Sequence, residues 1–384
     1  MSLLRFTRSA ANVAALFLGA ACAASGSGPA GAPGRAASAS PGASAASARL
    51  YVPNQSDASV TVLDAATGAV ITTVDLRTAG FTADAKPHAA IAEPDGSAWY
   101  VTLIGDNQVA KFDRDNRFLG KARMETPGML ALDPRHDRLY ASRSMTAVSA
   151  PSSIGIMRRS DMMLIEELDV ILPRPHAIAV DTASGRVYVS GLGDNRIATI
   201  GERGRVELAD VPGPLHAYVT FALSPDGTRL AASTQLTHSL LGFDATGVTL
   251  KPLGRADVLP FGYQIAFSPD GRSVWLGNQR SGAVTEVSAA DWTVVAVIRD
   301  SAFAEPHGVA VSADGRTVYV SSHGVQTAAV APTARDTAHG GMHAGEGAPR
   351  GGGTLALIDV RTRTVRKVVP VGRFATALGL GGAR

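Results

Sequence analysis

One short pattern recurs seven times in this chain, 40 to 49 residues apart: a large apolar residue, an aromatic or small residue, then another apolar residue. The copies are Leu50-Tyr51-Val52, Trp99-Tyr100-Val101, Leu139-Tyr140-Ala141, Val187-Tyr188-Val189, Leu230-Ala231-Ala232, Val274-Trp275-Leu276 and Val318-Tyr319-Val320. Five are preceded by a tight-turn pair: Asp95-Gly96, Ser184-Gly185, Asp226-Gly227, Asp270-Gly271 and Asp314-Gly315. The third has Pro134-Arg135-His136-Asp137 instead. An Asp-Gly turn between alternating apolar runs is a hairpin signal. After each copy come a polar loop and a third alternating run, such as Ser59 to Leu63 or Ala283 to Val287. A fourth follows, as in Val70 to Val74 and Val294 to Ile298. Four antiparallel strands in a unit of about 44 residues is the period of a propeller blade.

The first copy lacks an opening strand, and the missing piece lies at the other end. Val371 to Leu380 has the form of that strand. The expectation is an all-β seven-bladed propeller over 49–384, with the C-terminal strand closing the ring and removing an exposed sheet edge.

The pattern from Pro306 to Ser321, PHGVAVSADGRTVYVS, resembles the YVTN repeat of bacterial seven-bladed propellers, which include surface-layer proteins and the YncE-like exported propellers. The resemblance covers everything after residue 48 and implies the fold. It implies no activity, because its motif residues build strands and turns, and one architecture hosts many chemistries.

The N-terminus reads as an export signal. Arg5 and Arg8 precede a short apolar run from Val13 to Gly19, and small residues follow. That run is too short for a membrane span. Cys22, the single cysteine, sits where a bacterial lipoprotein is lipidated, although the Leu of a lipobox would stand at Gly19. The rival reading is cleavage after Ala21-Cys22-Ala23. Residues 1–22 are then the signal, and 23–48 an Ala/Ser/Gly/Pro tether too poor in apolar surface to order itself. The expected location is the periplasm or, through a lipid anchor, the bacterial envelope. A net charge of +3 with no basic block excludes nucleic acid as an expected partner. An envelope protein or small molecule is the expected partner of a monomer.

Blade topology places eight of the nine histidines on one face. His88, His176 and His307 enter inner strands in blades two, four and seven, with His216 in the same kind of loop. His238 and His323 lie between second and third strands. His339 and His343 fall in an insertion at about 325–353 that also holds Met342. Only His136 belongs to the opposite face. The slot of His88 is filled elsewhere by Gly128, Val219, Tyr263 and Thr376. The expected ligand-binding mouth comprises His88, His176, His216, His307, Tyr263, Asp106, Asn107, Asp194 and Asn195. For the Pro-His residues the plain alternative is a hydrogen bond to a neighbouring blade's backbone. The Asp-Asn pairs have an alternative role in shaping their own loops.

Three functions remain open. One is a non-enzymatic binding scaffold at the cell envelope. Another is a copper or zinc protein using His307, His323, His339, Met342 and His343, since imidazole and thioether suit such metals. The weakest is a lactonase-like hydrolase, for which Glu305 and Asp84 are the nearby carboxylates. No Gly-x-Ser-x-Gly, Cys-x-x-Cys or P-loop is present, and no catalytic residue is assigned.

Overall fold

A computed structural model describes residues 47–144, 151–201, 204–324 and 351–382. These form seven sheets of four antiparallel strands. Blade one pairs Gly379–Gly381, Arg49–Asn54, Ser59–Asp64 and Val70–Asp75 in that order. Each other blade takes four consecutive strands. In blade seven they are Pro306–Val311, Thr317–Ser322, Thr354–Asp359 and Thr364–Pro370. The C-terminal segment closes the ring as expected, but the closing strand is interrupted. Regular pairing spans only Gly379–Gly381, and upstream of it single bridges join Ala375 to Asn54 and Ala377 to Ala89. A Cβ on Gly379 would lie 2.9 Å from the Ala90 carbonyl, so this strand is pinched against blade two.

Seven apolar clusters make the core, one at every junction between blades. Alternation in the second strand explains why. Leu50 and Val52 pack toward blade seven, while Tyr51 between them packs toward blade two. Both faces of such a strand are buried, so no polar stripe interrupts it. Tyr100, Tyr140, Tyr188, Trp275 and Tyr319 repeat the role of Tyr51. The fifth blade offers only Ala231, and in that junction Trp292 of blade six lies against Gly242 and Gly254. Met157 and Met162 pack in the core, whereas Met163 is 47% exposed.

Blades five to seven share a Ser-x-Asp-Gly turn. In blade seven Ser312 Oγ donates to Asp314 at 2.6 Å, and Oγ accepts from the Thr317 N–H at 2.9 Å. In blade five the same arrangement, Ser224 foremost, lowers the Asp226 carboxyl to about 2. A folded-state value below the unfolded one stabilises above the unfolded value and loses that contribution as pH falls toward 2. Asp226→Asn is therefore expected to lower stability at pH 5 and leave it unchanged near pH 2, read by urea denaturation. The carboxylate is solvated, so the difference stays under about 1 kcal/mol.

Candidate functional site: the histidine-bearing mouth

Each blade enters its inner strand through the same device. The residue just before the strand, or in blade one just before the Ala375 bridge, is left-handed in all seven: Lys86, Thr126, Arg174, Ala217, Phe261, Glu305 and Phe374 have φ between 40° and 62°. None is glycine, so each carries a steric cost of about 1–2 kcal/mol. The turn aims its carbonyl at the N–H that follows the second strand. Gln279 N–H donates to Phe261 O at 2.9 Å, His323 N–H to Glu305 O at 3.2 Å, and Gln55 N–H to Phe374 O at 3.0 Å. A bulge follows in six inner strands, at the slot of His88, His176 and His307. A bulged residue leaves the ladder, and its side chain is re-aimed. The N–H freed by the bulge goes to a hydroxyl of the second strand: Ala89 to Thr102, Met129 to Ser142, Thr220 to Ser233 and Gly308 to Ser321, at 2.9–3.1 Å.

This geometry brings together histidines that the repeat separates. His88 and His307 meet edge to face with ring centroids 5.6 Å apart, although blade one lies between their blades. Blade one offers the small Thr376 in that slot. His307 also meets Tyr263 at 4.5 Å and His323 at 4.9 Å. His323 stacks on Phe374 at 3.8 Å. All five side chains are nearly buried. The His88 Nδ1–H donates to the Gln55 amide oxygen at 3.0 Å. Two groups converge on His323 Nδ1: the Glu305 carboxylate at 3.2 Å and the Gln279 amide nitrogen at 3.3 Å. The carboxylate bonds only to a protonated Nδ1, and the amide N–H only to a bare one, so the two compete for one nitrogen.

The other expected residues hold the loops around this row. His176 Nδ1–H donates to the Val219 carbonyl at 2.6 Å, a bond to the next blade's backbone. His216 is held between Thr237, at 2.9 Å from Nδ1, and the Pro212 carbonyl, at 3.3 Å from Nε2, and burial pushes its pKa down. Asp106 bonds Thr82, and Asn107 accepts from the Thr126 N–H at 2.8 Å. Asp194 pairs with Arg196, while Asn195 accepts from the His216 N–H and donates to the carbonyls of Gly213 and Pro214. Asp84 lies on the surface beside Lys86. His339, Met342 and His343 lie outside the described residues. Among the described residues no group of three or more His, Cys, Asp or Glu is arranged to hold a metal ion.

Gln55, Gln279 and Phe374 were not foreseen. A signal for them exists in the repeat. Gln55, Gln279 and His323 each follow the last residue of a second strand, and Phe374 stands two before the slot residue Thr376, as Glu305 stands two before His307.

No family model matches the chain. The uncharacterized protein YncE of Salmonella typhimurium is 23% identical over 252 residues, covering 62% of this chain and 69% of that protein. The chain is YncE-like. Solved structures agree on the fold. The periplasmic gluconolactonase of Pseudomonas aeruginosa has a TM-score of 0.65 at 16% identity, covering 88% of this chain and 99% of its own. A functionally unknown protein of Desulfotomaculum acetoxidans has a TM-score of 0.67 at 11% identity, covering 87% and 98%. These identities carry the YncE-like architecture and no chemistry.

Proposed function

We propose that this YncE-like propeller is exported to the cell envelope, lipid-anchored through Cys22 behind the 23–48 tether, and acts there as a non-enzymatic binding scaffold. The ligand or partner engages the histidine-bearing mouth. The observation that carries the reading is the contiguous row of His88, His307, Tyr263, His323 and Phe374, built from four blades at one end of the ring. Such a row gathers imidazole, phenol and phenyl rings beside one another at the mouth, the ring types that recognition sites use.

Histidine NMR tests it. In a screen of small ligands and peptides against the tag-free protein, binders are expected to shift the Cε1–H signals of His88, His307 and His323. The His136 signal, on the opposite face, is expected to stay in place. Binders that move His136 alone, or turnover of lactones well above the buffer rate, overturn the reading.

A transition-metal role at the same mouth is the second reading, resting on the His307–His323 ring contact and the Glu305 carboxylate 3.2 Å from His323 Nδ1. Loading with copper or zinc followed by metal analysis separates the two. Below about 0.1 ion per chain supports the scaffold, and a value near one supports the metalloprotein.

A further inference from the structure

The mouth is chemically two-sided. Its blade seven–one–two side is the histidine row. Its blade five–six side is apolar and cationic. There Val219 and Tyr263 pack under Leu192 and Phe261. Leu236 is 50% exposed and Leu215 42% exposed, and the backbone bond from Leu236 N–H to His216 O joins their two loops. The Arg280 guanidinium sits over the Phe261 ring, 3.9 Å from its centroid, and the His238 ring lies 5.9 Å from the same ring.

Arg280 sets the sign of what this rim can take. Other arginines of this face are paired with carboxylates: Arg373 with Asp57, Arg77 with Asp75 and Arg196 with Asp194. Arg280 is exposed, and among the described residues it pairs with no carboxylate. His238 Nδ1 is buried without a hydrogen-bond partner. An apolar floor beside an unpaired cation is complementary to a carboxylate next to a large apolar side chain.

We propose that this rim docks a peptide segment of that composition, acidic and amphipathic, lying on Leu215 and Leu236 with its carboxylates toward Arg280. A peptide is favoured over a small molecule because the surface is open: half-exposed leucines on two adjoining loops form a shelf, and small-molecule sites enclose most of their ligand. The proposal rests on the mouth being a binding surface and adds the class of partner.

Fluorescence anisotropy with short labelled peptides tests it. The probe alternates Phe or Leu with Asp or Glu. One control replaces the acids by Lys, and a second replaces the apolar residues by Ser. The acidic apolar probe is expected to bind about tenfold tighter than either control. Arg280→Glu and Leu236→Asp, both at exposed positions, are each expected to weaken it by a similar factor, and high salt should weaken it further. Equal binding of the Lys control, indifference to both substitutions, or no binding of the probe overturns the rim proposal. Binding lost on His307→Ala but indifferent to the rim substitutions overturns the rim and leaves the mouth standing. Binding indifferent to all three overturns the rim and counts against the mouth.

Discussion

A chain ending at Pro370 is expected to lose cooperative thermal unfolding. The segment it lacks supplies the inner edge of blade one. Without it the second strand of blade one, Arg49–Asn54, loses its partners Gly379, Leu380 and Gly381, and the junction with blade seven loses Ala375 and Leu378 from its core. The Ala90 N–H loses the Ala377 carbonyl, and the Ala377 N–H no longer reaches His88 O. Most of this surface is apolar, and an unpaired inner edge is left open to water and to other chains. Calorimetry should show a broad transition or none. A synthetic peptide of residues 371–384 is expected to restore the sharp transition, since ring closure needs the strand and not its covalent link. A gentler version is Gly379→Val. Its Cβ would meet backbone atoms of Ala90 and Ile91 at 2.9–3.0 Å, which cannot rotate away. The expected cost is about 3 kcal/mol or more. A truncated chain that melts like the full one would show that blade one closes by another route.

Trp292→Ala should lower stability by about 3–5 kcal/mol. The indole is 3% exposed and fills the one junction whose blade offers no aromatic in its second strand. Blade five makes room for it with two glycines. A Cβ on Gly242 would lie 1.9 Å from the ring, and one on Gly254 2.5 Å. Gly→Ala within a strand ordinarily stabilises by about 0.5–1 kcal/mol. Here Gly242→Ala is expected to destabilise by about 2 kcal/mol or more, because the ring must leave its slot. In the Trp292→Ala background the same change should become neutral or favourable. This sign reversal, measured as a double-mutant cycle by denaturant unfolding, tests the contact directly. Additive effects would mean that the tryptophan does not occupy the slot in solution.

Much of the fold was legible in the chain. A period of about 44 residues, Asp-Gly turns and strict alternation specify a blade. An incomplete first copy with a matching strand at the other end specifies closure. The second strands, the placement of the mouth histidines on one face and the separate position of His136 followed from the connectivity of an up-and-down blade. What escaped was the entry device. Left-handed residues announce themselves in sequence when they are glycine, but here they are Lys, Thr, Arg, Ala, Phe, Glu and Phe. The backbone bond that each one makes pins its conformation, and that bond exists only once the second strand is in place.

The candidate site divides along the same line. Residue types and repeat position placed His88, His176, His307 and Tyr263 at the entrances to inner strands and His323 after a second strand, because topology assigns every repeat position to a face. Periodicity, however, fixes angles around a ring and not distances across it. Blades two and seven are two steps apart, yet His88 and His307 touch, because blade one puts Thr376 between them and is squeezed by glycine contacts. Likewise Glu305 and Gln279 reach the same nitrogen of His323 from different blades. Local pattern determines strands and turns within a blade. Contacts between blades depend on how seven sheets of unequal bulk close into one ring, so only the assembled structure decided which side chains share the mouth.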